Sequence, residues 1–242
     1  MDDNLSHVGL DKTHLFTRHV VQKDISKSWF EHIDRLDTGQ GSKVLKFNIP
    51  GNEYYIETSE TLLLLTVKIT KNNGDDIDAD AAVAPQNNLG ISMFSQLRIY
   101  FREQLYDSIK NYNIAGCLET DLSYSDNAKK SWLTAGLQIP DDDGKEDDIT
   151  DGNSGFKARQ TMFAKSKEVE IVTKIHAGFF HTHKLFINNC DLNLEFDIES
   201  NEKILMCAST GNNFKQYKVK IVNAKLLVRR VVLIKIWKFK KH

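Results

Sequence analysis

Apolar and polar positions alternate with a period of two through much of the chain. KVLKFNI (43–49), QLRIYF (96–101) and DLNLEFDI (191–198) place apolar side chains at every second position, the signature of strands with one face on a core. The pattern in 191–198 predicts Leu192, Leu194, Phe196 and Ile198 inward, with acids and Asn outward. ETLLLLTVKI (60–69) is continuously apolar at its centre, which predicts a strand covered on both faces. YYIE (54–57), EVEIVTKIH (168–176) and HKLFI (183–187) add shorter strands, and 217–237 supplies one long strand or two in succession. Residues 25–36 are only weakly extended in pattern. Leu105 opens a partner to 96–101, and the intervening Arg102-Glu103 suits a tight primed turn poorly, so a longer or bulged hairpin is predicted.

Between residues 91 and 135 the period changes. Ile114, Cys117, Leu118 and Leu122 fall at i, i+3, i+4 and i+8, one face of a helix, with Asn113 as its expected N-cap. Ser125 or Asp126 can cap a second helix carrying Ala128, Trp132 and Leu133. Residues 138–160, with Gly144, Gly152 and Gly155, read as a long polar loop, of a length that is usually functional or flexible. The strand count is about eight, with few helices and no βαβ rhythm. The predicted fold class is therefore all-β, a single jelly-roll β-sandwich with a short helical insertion near residues 112–135. The expected organisation is a flexible arm over 1–20, one domain over 21–234 and a basic tail over 235–242; the chain holds only three prolines, so no Pro-rich linker divides it.

Composition narrows the function more by exclusion than by signal. The 242 residues are 40% hydrophobic and 27% charged, with net charge -1, so bulk charge points to neither nucleic acid nor membrane. No run of apolar residues reaches membrane-spanning length, and the first twenty residues show no signal-peptide core. The charge is uneven, however. Residues 141–151 (DDDGKEDDITD) carry seven acids and one Lys, whereas 211–242 carry ten Lys or Arg and no acid. The acidic run is not an EF-hand: with Gly144 at the sixth position the first and twelfth ligands fall on Ile139 and Thr150. It reads as a solvated loop. The three cysteines, Cys117, Cys190 and Cys207, fit neither a disulfide framework nor a zinc pair, and reduced intracellular thiols are expected.

Candidate chemistry is sparse. His181 and His183 share a face of an extended segment and Cys190 follows, with His176 upstream. These are metal-capable residue types, but strand alternation alone produces such a pair, and no metal site and no cofactor are expected. Cys190 lacks any nucleophile signature and Cys117 belongs to the expected core face. Glu57, Glu60 and Glu195 could serve as paired carboxylates only if the fold brought them together. Phosphate-loop, dinucleotide and zinc-protease motifs are absent, and an enzyme is not predicted. In the tail, Lys235, Lys238, Lys240 and Lys241 alternate with apolar residues. They read as an edge strand protected by lysines, or as a contact for DNA phosphate.

Four ordered blocks resemble the major capsid proteins of Polinton (Maverick) elements and the related adintoviruses, a double jelly-roll family. They are QKDISKSWFEHI (22–33) with FNIPGNEYYIETSETLLLL (47–65); MFSQLRIYFREQLYD (93–107) with YNIAGCLETDLSYSDNAKKSWLTAGL (112–137); FAKSKEVEIVTKIHAGFFHTHKLFINNCDLNLEFDI (163–198); and FKQYKVKIVNAKLLVRRV (214–231). The second and third carry the most specificity. The resemblance implies the N-terminal roll of a capsid subunit, with strands upright in the shell and the helical pair inserted between the two halves of the roll. It implies self-association, trimer-based, with other copies and other capsid proteins as partners. It also implies a virion location, assembled in the nucleus or cytoplasm of a host cell, with no secretion and no membrane. A double jelly roll needs about twice this length, so a truncated copy of a transposable element is expected. The other readings are a β-sandwich that binds a glycan or protein ligand through its loops, and a copy without function.

Overall fold

The computed structural model describes residues 25–36, 42–150, 152–207 and 216–234. The predicted arm over 1–20 and the basic tail with Lys235, Lys238, Lys240 and Lys241 lie outside the described residues. Eleven strands are formed among the described residues: β1 Ile25–Asp34, β2 Val44–Ile49, β3 Tyr55–Lys71, β4 Val83–Pro85, β5 Phe94–Phe101, β6 Gln104–Lys110, β7 Val169–Lys174, β8 Leu185–Phe186, β9 Leu192–Ile198, β10 Leu205–Cys207 and β11 Tyr217–Leu233. Short helices punctuate them: α1 Leu89–Ser92, α2 Tyr112–Ser123, α3 Asp126–Lys129, α4 Ser154–Phe163 and α5 Asn201–Ile204.

One sheet runs β1-β11-β3-β7, with β8 pairing the start of β3, and the other runs β2-β9-β5-β6; β4 and β10 form a separate short ladder. All pairings are antiparallel. Late strands sit between early ones, β11 between β1 and β3 and β9 between β2 and β5, which is the winding of a jelly roll. The eight principal strands agree with the predicted count. Side-chain period sets which face is buried. Leu45, Phe47 and Ile49 of β2, Leu97 and Ile99 of β5 and Leu192, Leu194 and Phe196 of β9 form one core with Ile56, Leu63, Leu65, Val67 and Ile69 of β3 and Leu226 and Val228 of β11. Outside the second sheet the same alternation builds an ion network: Lys46 Nζ lies 2.6 Å and Arg98 Nε 3.1 Å from the Glu195 carboxylate, and Arg98 Nη2 lies 2.7 Å from Asp197.

Several expectations need correction. Residues 25–34 are a full strand, because β11 supplies a ladder from Ile25↔Leu233 to Asp34↔Lys225 that local propensity does not reveal. The apolar centre of β3 is not covered on both faces: Leu63 and Leu65 are buried, whereas Leu62 and Leu64 on the outer face are half-buried. Of the two expectations for the β5–β6 hairpin, the longer loop is not found, since Phe101 pairs with Gln104, but the bulge is, between the pairs Tyr100↔Leu105 and Ile99↔Asp107. Arg102 takes the left-handed φ of 56° that this turn demands. Neighbouring chain holds it there: the Arg102 amide donates to Asp191 O at 2.8 Å, and Asn193 Nδ2 donates to Arg102 O at 2.7 Å. The span from 217 is one strand to Leu233. The helical insertion follows β6, so five principal strands precede it and three follow, and it does not divide the roll into halves.

The predicted loop 138–160 ends early, because α4 begins at Ser154 and buries Phe156, Arg159, Gln160 and Phe163. The rest is tied down by Asn153, which is fully buried. Its Nδ2 reaches Asp141 Oδ1 at 2.7 Å, Lys145 O at 2.8 Å and Asp148 O at 2.9 Å, while its Oδ1 caps α4 by accepting from Phe156 N at 3.2 Å. Arg159, also fully buried, donates to Pro85 O at 2.9 Å, Asp141 Oδ1 at 2.7 Å and Ile139 O. The acidic run is therefore folded back on the body by one amide and one guanidinium.

Candidate assembly surface

Helix α2 faces the opposite way from the prediction. Its buried residues are Tyr112, Gly116 and Thr120. The periodic apolar residues point outward: Ile114 is 58% exposed, Leu118 54% and Leu122 84%. At 100° per residue the two stripes are centred about 160° apart. The small face is inward because α1 lies so close. A Cβ on Gly116 would sit 2.5 Å from Ile91 Cγ2 and 3.3 Å from His176 Cβ. Thr120 Oγ1 donates to Gly116 O at 2.8 Å, and the His176 amide donates to Tyr112 Oη at 3.0 Å. Burial pushes the Tyr112 phenol well up, so it stays neutral.

The caps also differ in detail. The residue before α2 is Asn111, held at a left-handed φ of 53°, whereas Asn113 Oδ1 accepts from the next amide at 2.9 Å. Ser125 caps α3 as expected, accepting from Ala128 N at 3.4 Å. Trp132 and Leu133 fall in a following 3-10 turn, Trp132–Gly136. A second apolar group lies on β6, at the end of its sheet, where Leu105 and Tyr106 are 56% and 57% exposed. Tyr106 stacks on Phe101 at 4.2 Å, and Phe101 touches Phe179 and Phe186 in turn. An edge strand with exposed apolar side chains and a helix with an outward apolar stripe are both features by which a surface can be covered by another molecule.

Beneath α2 the structure assembles a polar cluster that sequence reasoning only half anticipated. Glu119 Oε2 lies 3.1 Å from His176 Nδ1, and Glu119 Oε1 lies 3.3 Å from His181 Nδ1. Among the described residues these three form the group that brings one ligand-type atom from each within 4.8 Å of the others. His181, His183 and Cys190 do not form one ligand group: Cys190 is buried against the Gly51 turn, and His183 lines the same groove of about 330 Å³ as Glu119 and His181 without joining their cluster. Sequence spacing on its own strand could not find Glu119, which arrives from a helix 57 positions from His176. Burial pushes the His176 imidazole down, against the opposing pull of Glu119.

The other candidates stay apart. Glu57 on β3 pairs with Arg229 at 3.3 Å, while Glu195 on β9 belongs to the opposite sheet and its own ion network. Cys117 is half-buried and packs against the main core, and burial, with Asp121 beside it, pushes its thiol up to about 11, which leaves little thiolate.

Neither a protein-family model nor a curated protein matches the sequence. Solved structures do match by fold. A chain of the Sputnik virophage particle aligns over 93% of this chain with a TM-score of 0.61 and 11% identity. Looser likenesses are the Faustovirus major capsid protein, with TM-score 0.45, 9% identity and 95% of this chain covered, and the mavirus major capsid protein, with TM-score 0.44, 13% identity and 96% covered. The chain spans 51%, 58% and 51% of those three, about half the length of each. The fold that this chain and the Sputnik chain share is the jelly-roll sandwich.

Proposed function

We propose that the chain is a structural capsid domain that associates with copies of itself and with other capsid proteins to build a viral or virus-like transposon shell. The observation that carries this reading is the match of 93% of the chain to a chain of a virophage particle. The outward stripe of α2 supports it physically. Fully burying a Leu or Ile side chain contributes about 1.5–3 kcal/mol, so covering Ile114, Leu118 and Leu122 supplies several kcal/mol per contact. The ordered sequence resemblance supports a Polinton-type transposon as the element, a trimer as its building unit and the virion as its location. The acidic loop is folded onto the body, which leaves it less free for the loop-based ligand binding that the alternative reading requires.

Sedimentation velocity and negative-stain microscopy test the proposal. The wild-type chain should associate with rising concentration, and I114S/L118S/L122S should stay monomeric with its melting temperature nearly unchanged, as surface substitutions leave it. A wild-type chain that is strictly monomeric at high concentration overturns the reading.

A further inference from the structure

We propose that Glu119, His176 and His181 form a site for a zinc-class divalent cation, which clips α2 to the connection after β7. The donors come from three places in the chain: α2, His176 two residues beyond β7, and His181 just after the 3-10 turn Gly178–Phe180. In tetrahedral zinc sites the bonds of 2.0–2.2 Å put ligand atoms about 3.3 Å apart. The two imidazole Nδ1 atoms already lie 3.1 and 3.3 Å from opposite oxygens of one carboxylate. The group therefore closes on an ion by side-chain adjustment alone.

The supporting shell is fixed. The His176 amide is held by Tyr112 Oη, and Gly116 packs against the His176 side chain with no room for a Cβ beside Ile91. Two imidazoles and one carboxylate select Zn²⁺, Ni²⁺ or Cu²⁺ over Ca²⁺ and Mg²⁺, which take oxygen sets. Glu119 and His181 also line the groove of about 330 Å³, so a fourth position can be filled by water. Lys174 lines the same groove and opposes a cation, but its Nζ lies over the Trp132 ring, 5.8 Å from the centroid. His183, on the groove wall, is outside the ligand group.

The competing arrangement is a metal-free one, in which both imidazoles donate Nδ1–H to Glu119. Spectroscopy of the full chain, first stripped with chelator, separates the two. Titration with Co²⁺ should give the visible absorption of a low-coordinate site, displaced by Zn²⁺. A hundredfold excess of Zn²⁺ over its Kd should raise the melting temperature by roughly 5–10 °C. His181 is partly exposed, so H181A should fold with a metal-free melting temperature near that of the wild type, yet lose the absorption and at least tenfold in Zn²⁺ affinity. E119Q should do the same, and H183A should retain both properties. No absorption in the wild type overturns the proposal. So does absorption unchanged in H181A and E119Q, which would place the metal on other histidines such as His7, His14 or His19.

Discussion

Replacing Gly116 by Ala tests the orientation of α2, on which the assembly surface depends, and the sign of the result decides it. In an exposed helix interior this change stabilises by about 0.5–1 kcal/mol, because Gly forfeits backbone entropy on folding. At Gly116 the new methyl would instead meet Ile91 Cγ2 at 2.5 Å and His176 Cβ at 3.3 Å. Ile91 is buried on α1 and cannot swing out, so the clash must be relieved by moving α2 or distorting a rotamer. Such overpacking costs about 1–3 kcal/mol. Subtracting the helix gain leaves a net loss of about 1–2 kcal/mol, or roughly 2–8 °C in melting temperature for a domain of this size. Urea and thermal unfolding at low protein concentration measure it without a contribution from association. Ile91→Leu moves the offending methyl from Cβ to Cγ, so G116A/I91L should recover about 1 kcal/mol relative to the sum of the single changes. A G116A protein that is more stable than the wild type would mean that Gly116 faces solvent, that the stripe of Ile114, Leu118 and Leu122 is buried, and that the assembly surface is misplaced.

Two further outcomes follow from the paired charges. Arg159→Met should cost roughly 3 kcal/mol in chemical denaturation, the low end for breaking a buried ion pair, because Asp141 keeps its bond to Asn153 Nδ2 while Pro85 O and Ile139 O lose their donor. The Glu195 carboxyl is raised by its burial but lowered more by Lys46, Arg98 and Tyr100, with a net shift downward. Its unfolded value is near 4.3, so its contribution to stability is full above that pH and lost as pH falls through the lower folded value. Melting curves of E195Q should therefore show a smaller acid-induced loss between pH 5 and 3 than the wild type, and equal losses in the two proteins would refute the assignment.

The strands were legible because a sandwich reads the sequence two residues at a time. Leu192, Leu194 and Phe196 can be assigned to the core from alternation alone. β1 was less legible because its stability comes from a partner about 200 positions away, and its own residues offer a mixed pattern. α4 was missed because its inward residues include Arg159 and Gln160. Polar side chains count as surface in a periodicity argument, and it is their acceptors, Pro85 O and Asp141 for Arg159 and Ala81 O for Gln160, that make them core. The cluster of Glu119 with His176 and His181 was half visible for a similar reason: its histidines are close in sequence and its carboxylate is not.

Helix α2 shows most clearly what periodicity can and cannot establish. The spacing of Ile114, Cys117, Leu118 and Leu122 identifies an amphipathic helix, and the usual inference buries its apolar stripe in the same chain. Hydrophobic burial, however, is indifferent to which molecule provides the covering surface. Here the face with Gly116 and Thr120 has the closer geometric fit to Ile91 and His176, since only a helix without a Cβ at 116 can approach α1 so closely. Shape complementarity assigned the small face to the chain's own core and left the apolar face to the outside. In a protein that functions alone, a Leu122 that is 84% exposed, on one stripe with Ile114 and Leu118, would be a liability for aggregation. On the proposed reading as a shell subunit, the same stripe would be the part of the sequence that folding leaves unburied for assembly to bury.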